Sequence, residues 1–265
     1  MTSRRLRRNS LHINQQKEFM ELIYFATFVV ALVSSILSGI AGSGGGFIMA
    51  PYWLLTGMTP AQAAASGAFT ALGMAGSSLA AFRGSDHMPK NKKLVVVLMA
   101  VTLLASIVGP FFLQHTHADV FKPLMAIVTV IALPLLFIRR PNIELSRKHR
   151  VVGIGLLAVI LLASSFITSS AFSLMIAIVL SQMFNFTILQ STALRRLIGI
   201  IQSVIIFAIL CSLGNFVWAH AVTGMIGGVI GSYIGTKLAI KRGESFAKYA
   251  LAAGAVISCA ALLLG

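Results

Sequence analysis

The sequence predicts an all-α polytopic membrane protein, with about eight transmembrane helices in two homologous halves and with broken or re-entrant helices. Three observations predict it. The chain of 265 residues is 57% hydrophobic and only 10% charged, with a mean hydropathy of +0.92, whereas charged residues make up roughly a quarter of a soluble domain. Apolar stretches near the ~20 residues of a spanning helix recur from Phe19 to the C-terminus. Small residues interrupt the apolar pattern at a similar place in each half, the usual mark of a transporter core.

The first element is a basic cytoplasmic tail over residues 1–18, with Arg4, Arg5, Arg7, Arg8 and Lys17. It leads into an apolar run from Phe19 to Ile40. This pair could imitate a signal peptide with Ser38 to Gly42 as a cleavage region, but apolar segments continue to the far end of the chain. A Gly-rich break follows, then a short apolar piece from Phe47 to Leu55 and an Ala/Gly-rich span from Pro60 to Phe82. A basic loop carries Arg83, Lys90, Lys92 and Lys93. Spans from Leu94 to Leu113 and from Phe121 to Ile138 close the first transmembrane half, residues 19–138.

Residues 139–150 form a basic linker, where Pro141 and Asn142 disfavour helix. The second half, 151–265, repeats the plan: Val151 to Ile167, a Ser-rich break, Leu174 to Phe184, Ile188 to Leu213, Phe216 to Leu238, a basic turn at Lys241 and Arg242, and a last span to Leu264. Sliding Thr59 onto Thr187 aligns Thr59-Pro-Ala-Gln-Ala-Ala-Ala65 with Thr187-Ile-Leu-Gln-Ser-Thr-Ala193. Placing the tail, the Arg83 to Lys93 loop and the linker on one side by their positive charge requires an odd number of crossings between Phe19 and Leu55.

Composition excludes several classes. The formal charge of +15 would suggest nucleic acid in a soluble protein, but here the basic residues occupy a tail and short loops, where anionic lipid and membrane orientation account for them. Cys211 and Cys259 lie in apolar runs without metal-ligand spacing, so no metal or cofactor is expected. The six carboxylates all fall in polar connections or near their ends. A proton relay of paired Asp or Glu, and an aspartyl protease dyad, are therefore absent from the sequence. A hydrolase built on Ser43, Ser169 or Cys211 lacks a base deep in a span, so no enzyme is expected.

The informative segment is Leu37-Ser-Gly-Ile-Ala-Gly-Ser-Gly-Gly-Gly-Phe-Ile-Met-Ala-Pro51. Each glycine costs roughly 0.8 to 1 kcal/mol against alanine inside a helix, so the helix should break over Gly42, Ser43, Gly44, Gly45 and Gly46. Unwound backbone at membrane depth survives only inside protein or along a watery cavity. The piece from Phe47 would then start with free N–H groups and the positive end of a helix dipole, a site for an anion. The plainer alternative is that Gly39, Gly42 and Gly44 allow tight helix packing. A nucleotide loop is excluded, because neither the Lys-Ser/Thr pair nor the acidic partner is present.

The run A-G-S-G-G-G-F-I-M-A-P followed by T-G-M-T-P-A-Q-A-A-A-S resembles the start of the sulfite exporter TauE/SafE family of membrane permeases. The Gly227-Gly-Val-Ile-Gly-Ser-Tyr-Ile-Gly235 segment resembles that family's glycine-spaced penultimate span. The resemblance implies seven or eight spans in two halves, in a multi-pass protein of the bacterial inner membrane. It also implies export or uptake of small sulfur-containing or organic anions such as sulfite and sulfonates.

Two departures from the pattern point to residues of this chain. The second break reads Ser164-Ser-Phe-Ile-Thr-Ser-Ser-Ala-Phe-Ser173, so Ser169 and Ser170 offer hydroxyls where glycines are expected, unless they bond to their own helix. Arg195 and Arg196 replace the small residues of the first half. An arginine at the bilayer centre costs ~2.5 to 3.5 kcal/mol on insertion scales, and its guanidinium suits an oxyanion. Only one of two helical neighbours can face a single cavity, and Arg195 is chosen, with Gln202 about two turns along the same face; both snorkelling to a headgroup surface is the alternative.

The expected site is therefore a midplane anion site of Gly42 to Gly46, Ser66, Ser169, Ser170, Arg195 and Gln202, in a permease working by alternating access. Gln182, Asn185, Ser203, Thr70, Ser77 and Ser78 are further polar candidates. Trp53, Trp218 and His220 read as membrane-interface residues. Partners are a small anion and membrane lipid, with a homo-oligomer left open and no nucleic acid. An anion channel and a structural membrane subunit remain alternatives.

Overall fold

A computed structural model describes residues 2–42, 46–89, 92–114, 147–166 and 170–264. Among them the regular elements are helices: α1 Thr2–Ala41, α2 Gly46–Leu55, α3 Pro60–Phe82, α4 Lys92–Gln114, α5 Arg147–Phe166, α6 Ser170–Phe184, α7 Ile188–Ser212, α8 Trp218–Arg242 and α9 Glu244–Leu264. The span expected from Phe121 to Ile138, and the start of the basic linker, lie outside the described residues. Among the described residues, four helical stretches are long and apolar enough to cross a bilayer: Met20–Ala41, Pro60–Phe82, Lys92–Phe111 and Ile188–Ser212. The chain is a polytopic membrane protein. Helix α1 begins within the basic segment and continues without interruption into its apolar part.

Glycine dictates how α1 and α8 meet. A Cβ built on Gly227 would lie 2.7 Å from the Phe28 carbonyl oxygen, and one on Gly39 would lie 2.6 Å from that of Ser232. Cβ atoms at Gly231 and Gly235 would collide with the carbonyls of Leu32 and Ile36. Gly227, Gly231 and Gly235 recur every four residues, so they form one smooth face that admits a neighbouring backbone. The pairs Phe28–Gly227, Leu32–Gly231 and Ile36–Gly235 advance together, which makes α1 and α8 parallel.

Helix α3 packs on the other side of α8 and runs the same way. Ser232 Oγ donates to the Met74 carbonyl at 3.0 Å, and Ser78 Oγ and Thr236 Oγ1 share a 2.8 Å bond. Thr236 Oγ1 also bonds the Gly39 carbonyl at 3.3 Å, tying α8 to α1. In hydrocarbon such hydroxyls need partners, and here they find them across helices.

Because α1 and α3 are parallel, residues 42–59 between them return across the bundle. The return is made by the glycine break and the ten-residue helix α2. This departs from the arrangement that charge favours, in which the basic tail and the Arg83 to Lys93 loop share a side: the start of α1 and the loop after α3 sit at opposite ends of the bundle. Helix α7 runs against α3. Ala61, Ala64, Ala65 and Ala68 of α3 cluster with Ile206 and Leu210, whereas Phe82 clusters with Ile188 and Leu189. The ends marked by Arg83, Lys241 and Arg242 therefore gather with the start of α7.

The turns into α3 and α7 have the same construction. Gly57 has φ +85° and Asn185 φ +54°, and asparagine is among the few side chains that accept this region. Two residues later, Thr59 and Thr187 each form a capping box with Gln62 and Gln190, which satisfies two otherwise orphaned N–H groups. Helix α4 packs against α5 and α7, while α8 packs against α1 and α3.

Candidate functional site

The break after α1 opens on a glycine cap. Gly42 has φ +71°, and its N–H bonds the Ser38 carbonyl at 2.7 Å, closing the helix with a left-handed residue. A Cβ on Gly42 would collide with the Thr192 side chain of α7. One turn further along α7, Arg196 is 4% exposed. Its Nη2 donates to the Ser38 carbonyl at 3.0 Å and to Ser38 Oγ at 2.9 Å. A guanidinium thus sits at the negative end of the α1 dipole. The start of α7 is itself capped from α9, where Glu244 Oε1 accepts from the Ile188 N–H at 3.3 Å.

Hydroxyls inside the bundle mostly bond the carbonyl one turn back. Thr102, Ser106, Thr192 and Thr223 do so at 2.6 to 2.8 Å, the usual solution within a span. Ser66 Oγ, Thr70 Oγ1 and Ser191 Oγ are buried without a hydrogen-bond partner, as are Trp53 Nε1, Arg195 Nη1, Arg196 Nε and His220 Nδ1. Unsatisfied buried polar atoms are few in native proteins because each costs about 1 to 3 kcal/mol. Four of these seven atoms lie on α7 or on the helix it crosses as paired positions one turn apart: Ser66 and Thr70, and Ser191 and Arg195.

Arg195 points inward. Val204, on about the opposite side of α7 at 100° per residue, is 48% exposed. Ile206, which packs with α3, lies within about 20° of Arg195 around the same helix. Leu194 and Ile198 carry the neighbouring ridge toward Leu94 and Leu98 of α4 and Leu157 of α5. Arg195 and Ser191 therefore occupy the side of α7 directed at the junction of α3 and α4. Among the described residues no carboxylate is buried.

The expected residues divide. Gly42 meets three residues that were not among the expected site, with Thr192 against it and Ser38 beneath it bonded to Arg196, and Arg195 precedes Arg196 on α7. Ser66 stands elsewhere: its neighbours Ala65 and Ala68 pack with Ile206 and Leu210, about 16 to 22 Å along α7 from Arg195 at ~1.5 Å per residue. Ser66 and Arg195 thus lie at different depths. Ser43, Gly44, Gly45 and Ser169 lie outside the described residues; Gly46 and Ser170 begin α2 and α6. Gln202 is half-buried and engaged in an interaction of its own. Ser77 and Ser78 are both bonded, to the Met74 carbonyl and to Thr236. The packing role that sequence offered as the alternative for Gly39 and Gly42 is real, since both sit against a neighbour too close for a side chain.

Trp53 is a correction. The sequence placed it at the membrane interface with Trp218, but it is 1% exposed while Trp218 is 62% exposed. Helix α2 folds back into the bundle and carries Trp53 among Ala31, Met49, Met58 and Ala63. Its ring fills the spaces left by Gly67 and Gly224. Sequence reasoning also passed over Ser191, although its four-residue spacing from Arg195 puts the two on one face.

The comparisons agree with this architecture. The family model described as Sulfite exporter TauE/SafE matches residues 27–262. The chain is 25% identical over 248 residues to "Probable membrane transporter protein YfcA" of Escherichia coli K12, covering 91% of this chain and 90% of that protein. It is 26% identical over 229 residues to "Probable membrane transporter protein" of Haemophilus influenzae, covering 82% and 86%. It is 22% identical over 228 residues to "Probable membrane transporter protein ORF9" of Sinorhizobium sp., covering 83% and 85%. No solved structure matches it significantly. Helical architecture, interrupted apolar segments and a family match over most of its length together make this chain a member of the sulfite exporter TauE/SafE family of membrane transporters.

Proposed function

We infer that this transporter carries small oxyanions, sulfur-containing or organic, by alternating access in a bundle built from two duplicated halves. The observation that carries the inference is Arg195, whose inward-facing Nη1 is buried without a partner beside the equally unpartnered Ser191 hydroxyl. A guanidinium presents fixed donors matched to a sulfite, sulfonate or carboxylate group. The substrate would complete an unsatisfied cation rather than displace a bonded one. Ser66, at another depth, would serve a second position on the same route. The Gly42 to Gly46 backbone, Ser169, Ser170 and Gln202 complete the proposed lining.

The matching turns at Thr59 and Thr187 support the duplication. So does the exchange of partners, in which α8 joins α1 and α3 as α4 joins α5 and α7. Since no described carboxylate is buried, any proton movement would follow the substrate's own protonation. Flux of a permanently ionised sulfonate that stayed tightly coupled to protons would refute that point. By the positive-inside rule, the end bearing Arg83, Lys92, Lys93, Lys241 and Arg242 faces the cytoplasm, which would put the start of α1, expected from its own charge to be cytoplasmic, on the other side.

The deciding experiment is a thermal-shift screen of the detergent-purified protein against sulfite, sulfate, thiosulfate, taurine and small carboxylates, repeated on Arg195→Ala. At least one anion should raise Tm, and the shift should vanish in the variant. Undiminished binding in Arg195→Ala would remove the site. Saturable counterflow of the same anion would separate a carrier from a channel.

A further inference from the structure

We propose that Arg196 is a positioning residue of the transport cycle, the latch by which one packed bundle closes on the other at the basic end of the molecule. The proposal rests on the alternating access proposed above and not on the identity of the anion.

The packing defines the two bodies. One is α1, α2, α3 and α8, joined by backbone-to-backbone approach at Gly227, Gly231 and Gly235 and by the Ser78–Thr236, Ser232–Met74 and Thr236–Gly39 bonds. The other is α4, α5, α6 and α7, joined by an aliphatic core of Leu94, Leu98, Leu157, Leu161, Leu180 and Leu194. Each body mixes the two sequence halves. Helix α8 cannot separate from α1 without breaking glycine contacts that no side chain cushions. Between the bodies, α3 meets α7 through small alanine side chains against Ile206 and Leu210 at one end, and through Phe82 against Ile188 and Leu189 at the basic end.

Beside the glycine break a polar contact crosses that surface. Arg196 reaches from α7 to Ser38 on α1, and Thr192 fills the space over Gly42. The Ser38 carbonyl already accepts from Gly42 N–H, so the guanidinium holds both the end of α1 and its cap. Arg196 Nη2 is thereby committed to protein, unlike Arg195 Nη1, and its action on transport runs through α1. Separation of the bodies at this end must expose Thr192 and release Ser38.

The test needs no substrate. In a background with Cys211→Ser and Cys259→Ser, Thr192→Cys is exposed to a membrane-impermeant maleimide from the basic end, and Ser66→Cys separately from the opposite end. Arg196→Ala should raise labelling at 192 roughly tenfold, as the loss of a charge-assisted bond implies, and lower labelling at 66 reciprocally. Arg196→Lys, which keeps a charged donor, should restore both rates to within about twofold. Unchanged labelling at 192 overturns the latch. A rise at 192 with no fall at 66 reduces Arg196 to a local structural contact and overturns its role in the cycle. If Arg196→Ala does not fold, Ser38→Ala, which removes one of the two acceptors, should give a smaller rise at 192 with the same reciprocal fall, and no rise overturns the proposal. Loss of anion binding in Arg195→Ala is a separate result, so the two ideas fail independently.

Discussion

Gly231→Ala should destabilise the protein although alanine is the better helix former. On propensity alone, replacing a mid-helix glycine gains ~0.8 to 1 kcal/mol. At Gly231, however, the new Cβ would collide with the Leu32 carbonyl oxygen and lie 2.9 Å from Ser35 Cβ and 3.1 Å from the Ile36 nitrogen. Two of these three are backbone atoms of a packed helix, so no rotamer change relieves the clash. Overpacking of this kind costs typically ~1 to 3 kcal/mol, and each kcal/mol moves Tm by about 2 to 4 °C in a chain of this size class. Set against the propensity gain, the expected net loss is up to about 2 kcal/mol, or up to roughly 9 °C. Gly76→Ala provides the internal reference, because nothing lies within 4 Å of its added Cβ and propensity acts alone, raising Tm by a few degrees. Thermal unfolding of both variants in the same detergent reads the difference. A Tm for Gly231→Ala as high as that of Gly76→Ala would refute the parallel close packing of α1 and α8.

Three further outcomes follow from the same geometry. With Ser78→Cys and Thr236→Cys joined by oxidation, anion flux in proteoliposomes should persist, since α3 and α8 move together although they come from opposite halves of the sequence; flux that stops on oxidation and returns with reductant would refute this division of the bodies. Thr70→Val removes a buried hydroxyl that has no partner and lies against Gly224 of α8, so it should leave Tm unchanged or raise it, by up to about 1 to 3 kcal/mol of stability; a clear fall in Tm would show that the hydroxyl is satisfied. Reporter fusions should place the start of α1 and the Arg83 to Lys93 loop on opposite sides of the membrane, and a shared side would contradict the parallel course of α1 and α3.

Much of the element plan was legible because apolar length and small-residue punctuation are local properties. The span expected at Pro60 to Phe82 matches α3 at both bounds, since proline at the first turn and the Thr59–Gln62 box mark its start in sequence. The break after Ala41 was legible for the same reason: consecutive glycines leave a helix nothing to gain. Charge was less informative. It could not order the ends, because the number of crossings depends on whether α2 returns across the bundle, and that depends on what packs around it. Trp53 was misplaced for a related reason, as a tryptophan near the end of a short apolar piece looks the same in sequence whether the piece ends at a surface or folds inward.

The pair Arg195-Arg196 shows the division most plainly. Sequence alone determined that this is a polytopic membrane protein, that its first helix must break near Gly42, and that two adjacent arginines in an apolar run cannot share one direction. Tertiary structure decided which arginine does what. Arg196 meets the carbonyl end of α1, a partner 158 positions away in sequence, while Arg195 turns inward and keeps Nη1 unsatisfied. Helix periodicity is written in neighbouring residues, but the partner of a buried charge is set by which distant backbone ends beside it.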